Sequence, residues 1–277
     1  ACAVLGGGRH LLLEGPVGCG KTTLAAEACR RLGRGVVRVD GDDRFTDSRL
    51  AGWFDPPLVL RLGYREEAFV PGPLVRAMRE EAVLFLNELN RLPEAAQNLL
   101  LPALDEGVVQ VPHLGGVRAA EGFQVVATQN PAEYVATGHL SEAIRDRFEH
   151  LSLGYQSAGE EEAIVTAATG CADRRLVRDA VRLTRATRVH PLVRRGASVR
   201  GASAIVQLTR GGDLRPAAEA ALAMRVELRD ADGDLAGLLD ELVELVVDRG
   251  EDPDALAAAG AFGPPAGGAD PPAVPQA

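Results

Sequence analysis

Eight consecutive residues, Gly15-Pro16-Val17-Gly18-Cys19-Gly20-Lys21-Thr22, fit the phosphate-binding pattern G-x-x-x-x-G-K-[ST] at every fixed position. Its glycines let successive backbone N–H groups wrap a polyphosphate at a helix N-terminus, where unpaired donors and the helix dipole favour anions. Lys21 would reach the outer phosphates and the Thr22 hydroxyl would sit on a magnesium ion, with Thr23 the last of the expected nucleotide-binding residues. The chain carries 30 Lys+Arg, and Lys21 is its only lysine. A sequence that otherwise uses arginine keeps lysine where a compact ammonium is wanted and a planar guanidinium would not fit.

Two further groups of polar residues interrupt apolar runs: Asn87-Glu88 after VLFL, and Thr128-Gln129-Asn130 after FQVVA. In a doubly wound sheet, ligands sit at the carboxyl ends of the strands, which is where these residues would lie. Glu88 is suited to orient and polarise an attacking water, and Asn130 to hold that water near the γ-phosphate. Taken alone, Glu88 could equally be a solvated strand end. The phosphate loop upstream favours the chemical reading.

Placing these residues requires alternating strands and helices. Apolar runs at His10–Leu13, Val36–Gly41, Val83–Glu88, Phe123–Asn130 and His150–Tyr155 predict five strands. Helical patterns follow the phosphate loop, start near Pro93 and stop near Gly107 with a kink expected at Pro102, and start again at Ser141. Val108–Ala119 reads as a hairpin, and residues 42–81 as a long connection carrying a short helix or hairpin. The fold class is therefore α/β, a mostly parallel five-stranded sheet with helices on both faces. The expected domains are 1–153 for the sheet, 154–250 for a purely helical domain, and 251–277 for a disordered tail rich in Ala, Gly and Pro.

Composition narrows the function. A net charge of -9 and 4% aromatic residues argue against a general nucleic-acid or membrane-surface binder. Four cysteines without a C-x-x-C pair argue against zinc and structural disulfides, and no apolar run is long enough to span a membrane. A reducing, cytoplasmic location is expected. The chain begins at Ala1, as a fragment or trimmed domain would.

GPVGCGKT, VLFLNELNR, ATQNP, LSEAIRDRF and GASVRGAS, in this order and spacing, resemble the AAA+ ATPases of the MoxR type. The resemblance spans residues 10 to 210. It implies an AAA+ P-loop NTPase domain with a small helical lid, binding ATP and Mg2+. It implies a Walker B strand ending at Glu88, with Thr22, Asn87 and Glu88 on the metal side, and a first sensor at Asn130. An arginine finger would act from Arg147, with Arg145 the weaker match, and a second sensor from Arg200. It also implies a homo-oligomeric ring, usually hexameric, acting as a chaperone-like remodeller on a client protein, in many such systems one with a von Willebrand factor A domain.

The sequence departs from this pattern at Asn87, where the Walker B motif has Asp. An amide is neutral and a poorer partner for a hard cation, so slow rather than absent hydrolysis is expected. A nucleotide-binding switch or scaffold that hardly hydrolyses is the alternative. A small-molecule P-loop kinase would leave ATQNP, DRF and GASVR without a purpose. Leu235–Val247 reads as a lid-closing amphipathic helix or, more sharply, as a docking helix for a partner.

Overall fold

The computed structural model describes residues 1–131, 140–209 and 211–262. The apolar runs become five parallel strands: β1 (Leu11–Glu14), β2 (Val36–Asp40), β3 (Val83–Asn87), β4 (Gln124–Gln129) and β5 (Glu149–Ser152). Their order across the sheet is β2-β3-β4-β1-β5, and every pairing is parallel. The inner strands are apolar on both faces because both are covered. On one face Leu11, Leu13, Val83, Phe85 and Val126 pack against Ala25, Ala28 and Cys29 of α1 (Lys21–Arg31). On the other, Leu12, Leu84, Leu86, Val125 and Ala127 join a core shared with α2 (Pro73–Arg79), α3 (Glu94–Asp105) and α4 (Glu142–Arg145). The edge strand β2 instead alternates, burying Val37 and Val39 and exposing Val36, Arg38 and Asp40.

Parallel pairing sets the carboxyl ends side by side. Asp40 lies opposite Asn87, Leu86 opposite Ala127, and Leu13 opposite Thr128. The connections follow local chemistry. Gly20, left-handed with φ 91°, starts α1, and Arg30 and Arg31 pair with Glu27 near its end, where cations complement the dipole. Pro102 lies inside α3, while Pro93 stands one residue before that helix as its cap rather than in its first turn. The hairpin is Val108–Val111 against Gly115–Arg118. Residues 42–81 carry a short antiparallel ladder, Gly52–Phe54 with Phe69–Pro71, and three short helices that include α2.

Contacts divide the chain into Ala1–Gly154 and Tyr155–Ala277. The second unit holds α5 (Ala158–Thr169), α6 (Arg174–Val189), α7 (Val199–Thr209), α8 (Leu214–Leu222), α9 (Leu235–Val243) and α10 (Pro253–Ala259). Two expectations need correction here. This unit is not helical throughout, because Val193–Arg195 pairs antiparallel with Glu227–Leu228. Nor is 251–277 a tail from its start: Asp252 caps α10, and Leu256 and Phe262 are buried in the helical core. Two apolar anchors behind a capped Pro start suffice to dock one more short helix despite the low-complexity composition. Residues 263–277 lie outside the described residues. Among the described residues no helix is long and apolar enough to cross a membrane.

Candidate functional site

The loop between β1 and α1 is shaped by its glycines. A Cβ on Gly15 would collide with the carbonyl of Leu153, so only glycine lets β1 leave the sheet so close to the end of β5. Gly18 and Gly20 take positive φ, 77° and 91°. The Lys21 ammonium donates to the carbonyls of Gly15 (2.6 Å) and Pro16 (2.8 Å), which holds it over the loop where phosphate oxygens would compete for it. Thr22, in the first turn of α1, faces β3: its hydroxyl donates to Asn87 Oδ1 at 3.4 Å.

From Asn87 a hydrogen-bonded row runs across three strand ends. Thr128 Oγ1 donates to Asn87 Oδ1 at 3.0 Å, and the Glu88 N–H donates to Thr128 Oγ1 at 2.9 Å. On the other side Asn87 Nδ2 donates to Asp40 Oδ1 at 2.9 Å. Asp40 also accepts from Arg38, with Nη2 at 2.6 Å. The Arg38 guanidinium, and after it the Asn87 amide, hold the Asp40 carboxyl below the usual carboxylate range.

Glu88 has φ 60° and ψ 55°, a left-handed backbone uncommon for a non-glycine residue and typical of functional sites. Its carboxylate pairs with Arg91 at 2.8 Å. Gly41 makes the close approach possible, since a Cβ there would strike the Glu88 carbonyl. Asn130 is buried at the end of β4. Beside it, Gln129 Nε2 donates to Glu14 Oε2.

The arginines differ. Arg147 is bound within its own chain: Nε donates to both Asp105 oxygens (2.8 and 2.9 Å) and Nη2 to one of them (2.8 Å). That hydrogen bonding raises the Arg147 pKa above its ordinary value. Arg145 is exposed, two positions away. Arg200 is exposed in the first turn of α7 and makes no hydrogen bond or ion pair among the described residues.

The first unit thus brings Lys21, Thr22, Asn87, Glu88 and Asn130 to neighbouring strand ends, with Pro16, Val17, Cys19 and Thr23 in or beside the loop. Asp40 was not among the candidates read from sequence, although it too is a polar residue ending a strand. Among the described residues no group of three or more His, Cys, Asp or Glu could hold a metal ion unaided. A threonine hydroxyl, an amide oxygen and a carboxylate are hard oxygen donors, and would suit a magnesium ion that arrived with a nucleotide.

The family profile of the AAA domain (dynein-related subfamily) matches residues 10–148, half of the chain. Gas vesicle ATPase GvpN2 of Halobacterium salinarum is 34% identical over 181 residues, covering 60% of this chain and 53% of that protein. Protein NorQ of Paracoccus denitrificans is 32% identical over 162 residues, 58% of each chain. The chain thus spans little more than half the length of these curated relatives. A point mutant of RuvB from Thermotoga maritima shares the fold, with a TM-score of 0.52 at 18% identity over 92% of this chain and 80% of that one. On these grounds the chain belongs to the AAA domain family, dynein-related subfamily, among the AAA+ ATPases of the MoxR type.

Proposed function

We propose that the protein binds ATP with Mg2+, hydrolyses it slowly, and uses the cycle in a homo-oligomeric ring, hexameric as such rings usually are, to remodel or assemble a client protein in the cytoplasm. The observation that carries this reading is the row Thr22–Asn87–Thr128, which ties the first turn of α1 to the ends of β3 and β4 and sets Glu88 at its edge. In the reaction, the Glu88 carboxylate takes a proton from water as the water oxygen bonds to the γ-phosphorus. The bond from that phosphorus to the β–γ bridging oxygen breaks and leaves ADP. Asn130 holds the water, and Lys21 lies along the outer phosphates. Magnesium, when bound, neutralises phosphate charge that develops on the leaving side. Thr22, Asn87 and Glu88 are the residues that would hold it.

Arg147 is assigned as the finger that a subunit extends to its neighbour's nucleotide. Within one chain Asp105 occupies it, so ring assembly has to exchange that carboxylate for phosphate. Arg200 is assigned as the second sensor. An exposed cation in the first turn of a helix opposes the dipole and gains from an anionic ligand. A client that is itself a protein, with a von Willebrand factor A domain, is the class we favour; one relative is named as a gas vesicle ATPase.

The test is phosphate release by the assembled protein with and without Mg2+. Magnesium-dependent turnover that falls to background in Glu88→Gln is expected, and the stalled variant should retain its client in ATP. The neutral Asn87 amide and the Glu88–Arg91 pair favour one competing reading, a nucleotide-binding switch. Tight ATP binding by an oligomer whose phosphate release equals buffer would establish the switch in place of the motor.

A further inference from the structure

The amide at position 87 is hydrogen-bonded on both sides, and one of the two partners fixes its orientation. The Glu88 N–H can only donate, so Thr128 Oγ1 accepts it; the Thr128 hydroxyl proton goes to Asn87 Oδ1, while its second lone pair would also serve a turned amide. On the opposite side the ionised Asp40 carboxylate can only accept, so it takes Nδ2. The Asp40 side therefore decides the orientation, and the Thr128 side accommodates it: Oδ1 faces Thr22 and the phosphate loop, and the amide's donor face is turned away. Without Asp40, Asn87 could present N–H groups to the loop, where a cation would be repelled.

We propose that Asp40 is a positioning residue for the metal side of this site: it fixes Asn87 as an oxygen donor and supplies, one hydrogen bond further out, the negative charge that position 87 lacks. The proposal rests on the ATP and magnesium reading above. The ordinary alternative is that Asp40 merely pairs with Arg38 on an exposed edge strand, and such pairs contribute little. That alternative gives no part to the Asn87 bond, although Asp40 Oδ1 accepts from both partners. Strand register points the same way, since Asp40 and Asn87 are direct partners across β2 and β3.

The experiment measures Mn2+ affinity by electron paramagnetic resonance on the full chain with ADP bound, and separately the affinity for a fluorescent ADP analogue in EDTA. Asp40→Asn and Asp40→Ser should weaken Mn2+ binding by about 10- to 100-fold, the usual loss when an outer-shell partner of a metal ligand is removed. Metal-free nucleotide binding should stay at the wild-type value. Arg38→Gln, which breaks the ion pair and spares the Asn87 bond, should leave Mn2+ affinity unchanged. The exchanged pair Asp40→Asn with Asn87→Asp should restore it, because the carboxylate and the amide still share their hydrogen bond. Wild-type Mn2+ affinity in Asp40→Asn and Asp40→Ser, or an equal loss in Arg38→Gln, overturns the proposal. Wild-type protein that binds no nucleotide in EDTA or in Mn2+ overturns the ATP reading itself, which is a separate result.

Discussion

Gly41 shows how closely the site is set by single atoms. Its N–H donates to the Asn87 carbonyl at 2.7 Å, and the space where a Cβ would stand is taken by the Glu88 carbonyl. Gly41→Ala therefore has to push β3's last peptide away from β2, just where Glu88 already holds a left-handed turn. A loss of about 1–3 kcal/mol in urea unfolding is expected, the usual cost of forcing a methyl group into occupied space. Glu88 and Asn87 could be found from sequence because an apolar run ends abruptly at them. Asp40 could not, for a physical reason: β2 is an edge strand whose exposed positions are Val36, Arg38 and Asp40, so the carboxylate reads as the next solvent-facing residue in an ordinary alternation. Arg147 was legible as a motif residue, but its partner Asp105 lies 42 positions away at the end of α3, and no local pattern reports it.

The strands owe their setting to groups that are themselves buried. His10, immediately before β1, sits between Phe123 and Phe148, with ring centroids 6.4 and 6.1 Å away. Its Nδ1 accepts the Val125 N–H at 3.0 Å, so the ring proton is on Nε2, which donates to the Leu104 carbonyl at 3.2 Å. Burial lowers its pKa from 6.5, as it does for His190 in the helical unit. The unfolded chain then binds the proton first, so stability is intact above pH 6.5 and falls as the pH drops below it toward the folded value. Thermal midpoints taken between about pH 7.5 and 5.5 should decline, and His10→Gln should flatten part of that decline, with His190 carrying the remainder. A slope unchanged by His10→Gln would assign the effect elsewhere. Element type was readable because the inner strands carry apolar runs, VLFL and VVA, and α6 carries its apolar residues at helical spacing. Pairs of two or three residues, such as Val193–Arg195 with Glu227–Leu228, have too short a pattern to declare themselves.

At the scale of the molecule, the helical unit has an apolar core of its own, and a buried charge is set beside it. Glu161 is 1% exposed, accepts from Arg188 at 2.7 Å, and lies 3.6 Å from Arg185. Arg188 also donates to the Ala197 carbonyl and stacks on Tyr155, while Arg185 reaches Asp254 in the first turn of α10. Removing one partner of such a group strands the others, so Glu161→Gln should cost ~3–5 kcal/mol. Hydrogen exchange locates the effect: amides of α5, α6 and α10 should lose protection, while β3 and β4 keep theirs. Equal loss in both units would contradict the division of the cores. The two apolar anchors, Leu256 and Phe262, that hold the last segment on the helical core were hidden by an Ala-rich composition, which reads as a disordered tail and conceals α10 altogether. Lys21 has a practical consequence of a different kind. Reagents that acylate amines meet one lysine in the entire chain, and its Nζ rests on the carbonyls of Gly15 and Pro16. The nucleotide loop is thereby the single side-chain address for such labels, and the mass of one peptide reports whether that loop is occupied.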